Sequence, residues 1–147
     1  MAETEQIMRW GPCNQYHATA QEAIMPGDLI EVIAATGADN GKVRRHSTAG
    51  GRAAPLFADG NWQFGKSKSD AYAAGDTVPT LAPSVGARIF ARCTVGVLIE
   101  NGTPLESAGG GLLRAATTGV VIAEAMEAEN TTGEPSPGWL LVRIVAQ

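Results

Sequence analysis

The chain has 147 residues, a formal net charge of −4, 18 glycines, 8 prolines and only 5% aromatic residues. This length suits one domain, and a domain of this size buries roughly 68–70% of the surface of its unfolded chain, so folding needs neither a metal nor a disulfide. Because glycine and proline are unfavourable inside helices and recur along the whole chain, the composition argues against a mainly helical protein and favours short strands and turns.

The first element is a predicted extended N-terminal arm, residues 1–16, which precedes a single β-domain of residues 17–147. Gly11-Pro12 interrupts any regular structure in the arm. Exposed termini rarely carry several large apolar groups unless these dock on something, so we interpret the apolar side chains as partner contacts. The alternative, left open here, is that the two larger rings close the end of their own barrel. The large apolar side chains of the arm are Ile7, Met8, Trp10 and Tyr16.

Two hairpins are predicted in the first half of the β-domain. Met25-Pro26-Gly27-Asp28 is a turn signal, since proline presets φ and glycine supplies a positive φ at the next position. We expect a strand over residues 29–35, a hairpin loop over 37–41 and a partner strand over 42–48. A second, shorter hairpin is predicted from residues 55–58 and 61–64, with Asp59-Gly60 at its turn.

Four further strands are predicted in the second half. Residues 77–81 contain Pro79, which argues for an edge strand. Residues 88–100 form the longest β-branched run, with Gly96 as a candidate bulge and Asn101-Gly102 as a hairpin turn directly after it. Residues 120–130 have the alanine and glutamate content of a helix but the valines of a strand, and we interpret them as a strand. A terminal strand over residues 139–147 closes an all-β domain, a compact barrel or sandwich.

Positive charge is concentrated in the middle of the chain. Residues 42–68 contain six basic side chains and one acidic side chain, Asp59, for a net charge of +5. Such a segment suits an acidic protein surface or self-assembly. Nucleic acid is not an expected partner, because only Trp62 and Phe64 offer aromatic stacking platforms there. We predict Arg44, Arg45 and Trp62 as contacts with a partner protein or a second copy of the chain.

The sequence shows no constellation for catalysis, metal binding or cofactor binding. His17 and His46 lie in no recognisable motif, and no Cys/His cluster has ligand spacing. Cys13 and Cys93 are 80 residues apart and are interpreted as free thiols. Three glutamates near the C-terminus, at 124, 127 and 129, are interpreted as a solvated face rather than a general acid–base pair. The glycine-rich stretches 37–43 and 109–111 lack the residues of a phosphate loop. We therefore expect a protein that is not an enzyme.

The N-terminus and the apolar stretches predict a protein with no membrane partner. The first ten residues, MAETEQIMRW, are polar and acidic where a signal peptide needs an apolar run. The longest apolar stretch, residues 93–99, is too short to cross a bilayer.

The C-terminal half resembles the capsid decoration proteins of tailed phages, including the lambda-type head-stabilising proteins and related cement proteins. The resemblance covers about two-thirds of the chain. It lies in the order of the motifs, because each motif taken alone is common among β-strand proteins. These motifs are Asn101-Gly102-Thr103-Pro104-Leu105, Gly110-Gly111-Leu112-Leu113, residues 119–127 and residues 140–144.

The resemblance implies a β-tulip-like barrel and a structural role on the virion. The protein would be made in the host cytoplasm, assemble as a homotrimer or a dimer, and bind the major capsid protein on the outer surface of the head. It would stabilise the capsid by bridging neighbouring subunits, with the N-terminal arm helping to grip the shell.

A different class of function stays open beside it. Trp62 and Phe64, two residues apart, would share one face of a strand and could stack on a sugar. Trp139 offers a further ring. The pattern would suit a carbohydrate- or receptor-binding β module in a head fibre or tail appendage, whereas a paired Trp and Phe in a hairpin more often seal a core.

Overall fold

The computed structural model describes residues 7–94, 98–130, 132–133 and 137–145. In these ranges the chain forms strands and one short 3-10 helix, and no described helix is long and apolar enough to span a membrane. The strands are β1 (Met8–Trp10), β2 (Cys13–Thr19), β3 (Leu29–Val32), β4 (Val43–Arg45), β5 (Leu56–Ala58), β6 (Thr77–Pro83), β7 (Arg88–Cys93), β8 (Leu98–Ile99), β9 (Pro104–Gly109), β10 (Leu112–Ala115), β11 (Ala123–Ala125), β12 (Glu129–Asn130) and β13 (Gly138–Ile144). The all-β fold class is confirmed.

Five strands close into a ring. The order of the larger sheet is β1-β7-β10-β9-β11-β13, and a further pairing of β7 with β13 closes the last five strands into a ring, with β1 attached to β7 outside it. The pairing of β7 with β13 runs from Gly138 opposite Cys93 to Arg143 opposite Arg88. Alternate residues of these strands turn into the ring, where aliphatic side chains such as Ile89, Leu113 and Leu140 form the main core. The ring is filled by packed side chains, and closure protects its edges.

A second sheet, in the order β2-β6-β5-β3-β4, lies against this ring. Leu29 and Phe57 from the second sheet belong to the main core. A second, smaller core lies on the other side of this sheet, around Ile24, Ile30 and Tyr72. The domain is thus a closed ring with a sheet packed beside it, which combines the predicted barrel and sandwich.

The described part of the predicted arm is built into both sheets, which corrects the boundary at residue 16. The peptide N–H of Phe90 donates to the carbonyl of Ile7 at 2.8 Å, and β1 pairs with β7. Cys13–Thr19 pairs along its whole length with β6. The physical reason is that the fully buried Ile7 side chain and the backbone of these residues find their partners inside the same chain. Residues 1–6 lie outside the described ranges.

The turn predicted at Met25–Asp28 is present, and it makes contacts with β7 of the ring. The N–H of Asp28 donates to the carbonyl of Met25 at 3.0 Å, which closes the turn, and Gly27 has a φ of +89°. Its carbonyl accepts the N–H of Arg92 from β7 at 3.0 Å. The Asp28 carboxylate, which is fully buried, contacts the Arg92 guanidinium at 2.9 Å. We call Met25–Asp28, with these bonds, the Gly27 turn.

Two local predictions are corrected, and a third falls on residues outside the described ranges. Residues 61–64 are not a strand, because Trp62–Phe64 forms a 3-10 helix. The turn at Asn101-Gly102 is present, with a φ of +89° at Gly102, but it does not connect a hairpin, since β8 pairs with β12 and β9 pairs with β10 and β11. The bulge expected at Gly96 falls outside the described residues.

Pro79 lies in an interior strand rather than at the predicted edge, because β6 pairs with β2 on one side and β5 on the other. Its position explains why the missing N–H is tolerated. Pro79 faces Asp59, one residue beyond the end of β5, and its carbonyl accepts the Asp59 N–H at 2.8 Å. The Asp59 carbonyl, which a ladder N–H from position 79 would otherwise approach, accepts the Tyr72 hydroxyl at 2.7 Å.

The other predicted strands each contain a strand of the structure, but residues 88–100, predicted as one strand, hold two, β7 and β8, which belong to different sheets. The segment that could have been helical contains β11 and β12. The C-terminal strand is β13, and the glycine loop at 109–111 joins β9 to β10 with a positive φ at all three residues.

The burial of Ile7 yields a stability prediction. Ile7→Ala should lower the free energy of unfolding by about 2–5 kcal/mol, because it removes a fully buried side chain. Trp10→Ala, three residues later and 64% exposed, should change it by less than about 1 kcal/mol. Urea denaturation of both variants measures the difference, and an equal, small effect would mean that residue 7 belongs to a free arm.

The Gly27 turn yields a second prediction. A Cβ on Gly27 would lie 2.8 Å from the Trp139 ring, whereas a Cβ on Gly75, with a similar φ of +91°, meets nothing within 4 Å. Gly75→Ala therefore isolates the backbone strain. Gly27→Ala should destabilise the protein by about 1–3 kcal/mol more, because the ring must also shift. Equal loss of stability in the two variants would contradict the packing of Trp139 on this turn.

Candidate functional site

A groove runs along one side of the second sheet. Its larger cavity has a volume of about 360 Å³ and lies between β2, β6 and the segment 59–64. A neighbouring cavity of about 320 Å³ includes Met8 and Leu81 and shares three residues with the first, Gln15, Asp59 and Trp62. We call the two cavities together the Trp62 groove.

The 3-10 helix Trp62–Phe64 presents the two aromatic rings of the groove. Its turn is closed by the N–H of Phe64 donating to the Asn61 carbonyl at 3.1 Å and that of Gly65 donating to the Trp62 carbonyl at 3.0 Å. Gly65, with a φ of +74°, ends it. The Trp62 side chain is 46% exposed and that of Phe64 is 77% exposed. Both rings line the larger cavity.

Asp59 forms the polar floor of the groove. One carboxylate oxygen accepts the Gly60 N–H at 2.8 Å, and the other accepts the Gln15 side-chain amide at 3.2 Å. Burial raises the pKa of the Asp59 carboxyl, and hydrogen bonds from the backbone of Gly60 and Ile7 offset part of that rise. The carboxylate is therefore held in one position by groups from three separate segments.

The structure brings together some of the residues predicted as partner contacts and separates others. Met8 and Trp62 line the same cavity. Ile7 is fully buried and is not available at the surface of the isolated chain. Tyr16 is exposed, but its side chain points to the opposite face of β2 from Gln15 and His17.

Trp10 lies away from the groove. It is opposite Arg88 in the β1–β7 pair, and the Arg88 guanidinium sits 5.6 Å from the centre of its ring. Neither Trp10 nor Tyr16 closes the end of the barrel, because both side chains are exposed.

The basic segment is largely matched by acidic groups of the same chain. Arg44 contacts Glu31 at 2.7 Å, and Arg45 contacts Glu22 at 3.4 Å. Lys42 pairs with Asp39 at 2.9 Å. These partly exposed pairs each add little stability, but they reduce the positive field that an acidic partner would meet. The predicted role of Arg44 and Arg45 in partner binding stays a prediction.

One side-chain cluster has the order of a catalytic triad. His46 Nδ1 lies 2.7 Å from the Ser107 hydroxyl, and Glu31 lies 3.7 Å from His46 Nε2. Nε2 also lies 3.2 Å from the Arg52 carbonyl, which can only accept, so in a neutral imidazole Nε2 carries the proton and Ser107 donates to Nδ1. Ser107 is fully buried, so its hydroxyl cannot reach a substrate in this structure. Sequence reasoning missed this cluster, because its residues are up to 76 positions apart.

The other candidate chemistries are absent from the described part of the chain. No three of its His, Cys, Asp or Glu side chains lie close enough to hold a metal ion. Glu124 bonds to Arg143, and Glu127 accepts the Leu141 N–H at 2.9 Å, so these two carboxylates have structural partners. Both cysteines are free, and burial raises the pKa of the Cys93 thiol to about 12.

Trp139, the third ring considered for sugar stacking, is engaged within the fold. Its indole N–H donates to the Pro26 carbonyl at 2.8 Å. The Lys68 ammonium and the Arg92 guanidinium lie 5.0 and 5.9 Å from its ring centre. The indole of Trp139 is therefore packed on the Gly27 turn, and the Trp62 groove is the better candidate for a binding site.

Comparison with known proteins shows the fold. No protein-family model matches this chain, and no curated protein matches it. Among solved structures it is similar to the N base of the head fibre protein gp8.5 of bacteriophage phi29. The likeness covers 90% of this chain and 94% of that chain, with a TM-score of 0.60 and 13% sequence identity. That relative is a phage head protein, but a fibre base rather than a lambda-type decoration protein.

The environment of Asp59 yields a prediction about pH. Its carboxyl should titrate above the ordinary value of about 3.9, because burial disfavours the charged form. The ionised group therefore lowers the stability of the native state at neutral pH. This effect diminishes as the pH falls through the raised native-state pKa and is gone below the unfolded-state pKa. Carboxyl-carbon NMR measures the titration, with Asp59→Asn to assign the signal. A midpoint at or below the ordinary value would contradict the buried position.

Proposed function

We propose that this protein is a structural, non-enzymatic component of a phage virion, mounted on the outer surface of the head. The observation that carries this proposal is the fold match with the phi29 head fibre base, which spans nearly the whole of both chains. The order of motifs in the C-terminal half supports the same assignment independently. The buried Ser107 hydroxyl is consistent with a protein that acts through its surface.

In this proposal the partner is the major capsid protein, and the protein bridges neighbouring capsid subunits. A molecule that binds only the assembled shell stabilises it by mass action. A homotrimer would match a three-fold position on the shell, and a dimer is the alternative.

The surface around Trp10 is the best candidate for capsid contact. Trp10 is 64% exposed, and Val85, in the turn that leads into β7, is also exposed. The N–H of Ser84 donates to the Pro12 carbonyl at 3.0 Å, so this turn is joined to the segment that follows Trp10. Exposed aromatic side chains are enriched among residues that dominate binding energy.

The second candidate function is the base of a head appendage that carries a carbohydrate- or receptor-binding surface. The fibre-base relative and the exposed rings of the Trp62 groove both favour it. The two functions differ in one measurable property, because a cement protein stabilises the head, whereas an appendage base binds without changing head stability.

Binding to heads tests the proposal. Purified full-length protein is mixed with emptied heads of the phage that encodes it, and bound protein is measured by co-sedimentation. We expect saturable binding that Trp10→Ala weakens about tenfold, the equivalent of 1.4 kcal/mol. Val32→Ala, an exposed apolar residue on the second sheet, serves as the control and should bind normally.

The thermal stability of the loaded heads then separates the two candidates. A higher melting temperature of the heads supports bridging, and an unchanged temperature with normal binding supports the appendage base. Absence of binding to heads would refute both.

A further inference from the structure

We propose that the Trp62 groove is a binding site for a neutral saccharide. This site is separate from the surface around Trp10, and the proposal does not depend on head mounting. It is carried by the combination of exposed aromatic rings, fixed polar groups and the absence of lysine and arginine among the described side chains that line one groove.

The first argument is the exposure of the two rings. Trp62 and Phe64 belong to a chain with few aromatic residues, yet 46% of the first side chain and 77% of the second face solvent. The closed 3-10 turn and Gly65 hold them there, so little conformational entropy is lost when a ligand packs on them. An apolar ring face with a polar surrounding suits the C–H face of a pyranose.

The second argument is the chemistry of the polar groups. Gln15, His17 and Asn61 line the larger cavity with Asp59. Amide and imidazole groups donate and accept at once, as sugar hydroxyls do. The Asp59 carboxylate accepts bonds from Gly60, Gln15 and Ile7, and because its two oxygens offer about four lone pairs, acceptor capacity remains for a further donor. A few positioned polar groups beside apolar walls are typical of small-molecule sites.

The third argument is charge, which decides the class of saccharide. Among the described side chains, no lysine or arginine lines either cavity, and Asp59 places negative charge at the floor. A sulfated, phosphorylated or sialylated ligand would meet like charge at Asp59 and, among the described side chains, no lysine or arginine to compensate it. The groove therefore favours an uncharged sugar.

The shape of the groove indicates an oligosaccharide. Volumes of about 360 and 320 Å³ lie at the lower end of the roughly 300–1,000 Å³ of ligand pockets. Because both cavities share Gln15, Asp59 and Trp62, a linear chain could cross from one to the other over the indole ring.

Binding of defined oligosaccharides to the full-length protein tests the proposal. The neutral probes are hexamers of glucose in α and β linkage, of mannose, and of N-acetylglucosamine, and sialyllactose is the charged probe. Isothermal titration and NMR shift mapping measure binding. We expect at least one neutral hexamer to bind with a Kd between about 10 μM and 1 mM, and sialyllactose to bind at least about tenfold more weakly.

Matched variants locate the binding site. Trp62→Ala should weaken binding at least about tenfold, and Gln15→Ala should weaken it less. Tyr16→Ala is the control, because Tyr16 is an exposed aromatic residue next to Gln15 on β2 but points to the opposite face of that strand. Circular dichroism and thermal melting establish that each variant is folded. If a variant is unfolded, its binding test is replaced by NMR on the unmodified protein, in which the Trp62 indole signal should shift when the sugar is added.

Three results would overturn the proposal. These are no binding of any neutral hexamer up to about 10 mM, undiminished binding by folded Trp62→Ala, and equal or tighter binding of sialyllactose. None of them bears on co-sedimentation with heads, so failure of this site and failure of head mounting are distinguishable.

Discussion

The packing of the second sheet against the closed ring depends on the Gly27 turn. Hydrogen bonds join this turn to its neighbours in the second sheet and in the ring. The Gly27 N–H donates to the Ala58 carbonyl at 2.8 Å in the second sheet, while its carbonyl accepts from Arg92 in the ring. Trp139, also in the ring, covers the glycine and donates to Pro26. Only a glycine permits this, since a Cβ would occupy the space of the indole.

The buried ion pair at this turn fixes orientation more than it adds stability. Burial raises the pKa of the Asp28 carboxyl, and the Met25 N–H and the Arg92 guanidinium offset part of that rise. Desolvation of such a pair consumes much of its attraction. The pair nevertheless allows few alternative arrangements, because displacement of Arg92 would leave a fully buried carboxylate without its cation.

The use of aromatic residues connects this fold to its proposed roles. The cores consist mainly of isoleucine, leucine, valine and alanine, with Phe57 and Tyr72 as the buried rings. Four of the eight aromatic residues are instead exposed, at Trp10, Tyr16, Trp62 and Phe64. The aliphatic core inside the closed strands does not need these four aromatic side chains. Their position at the surface is consistent with a protein that acts by adhesion, at two separate places.

The sequence by itself determined the fold class, the principal turns and most of the strands. These depend on local chemistry, such as glycine at positive φ in the Gly27 turn and β-branched residues in β7 and β13. It did not determine which strands pair, because pairing depends on contacts between distant residues. Tertiary structure alone decided that Ile7 is a core residue, that β8 pairs with β12, and that Trp62 and Phe64 share a groove with Gln15 and Asp59. The groove brings Gln15 to Asp59, 44 positions further along the chain, and no local sequence pattern predicts such a contact.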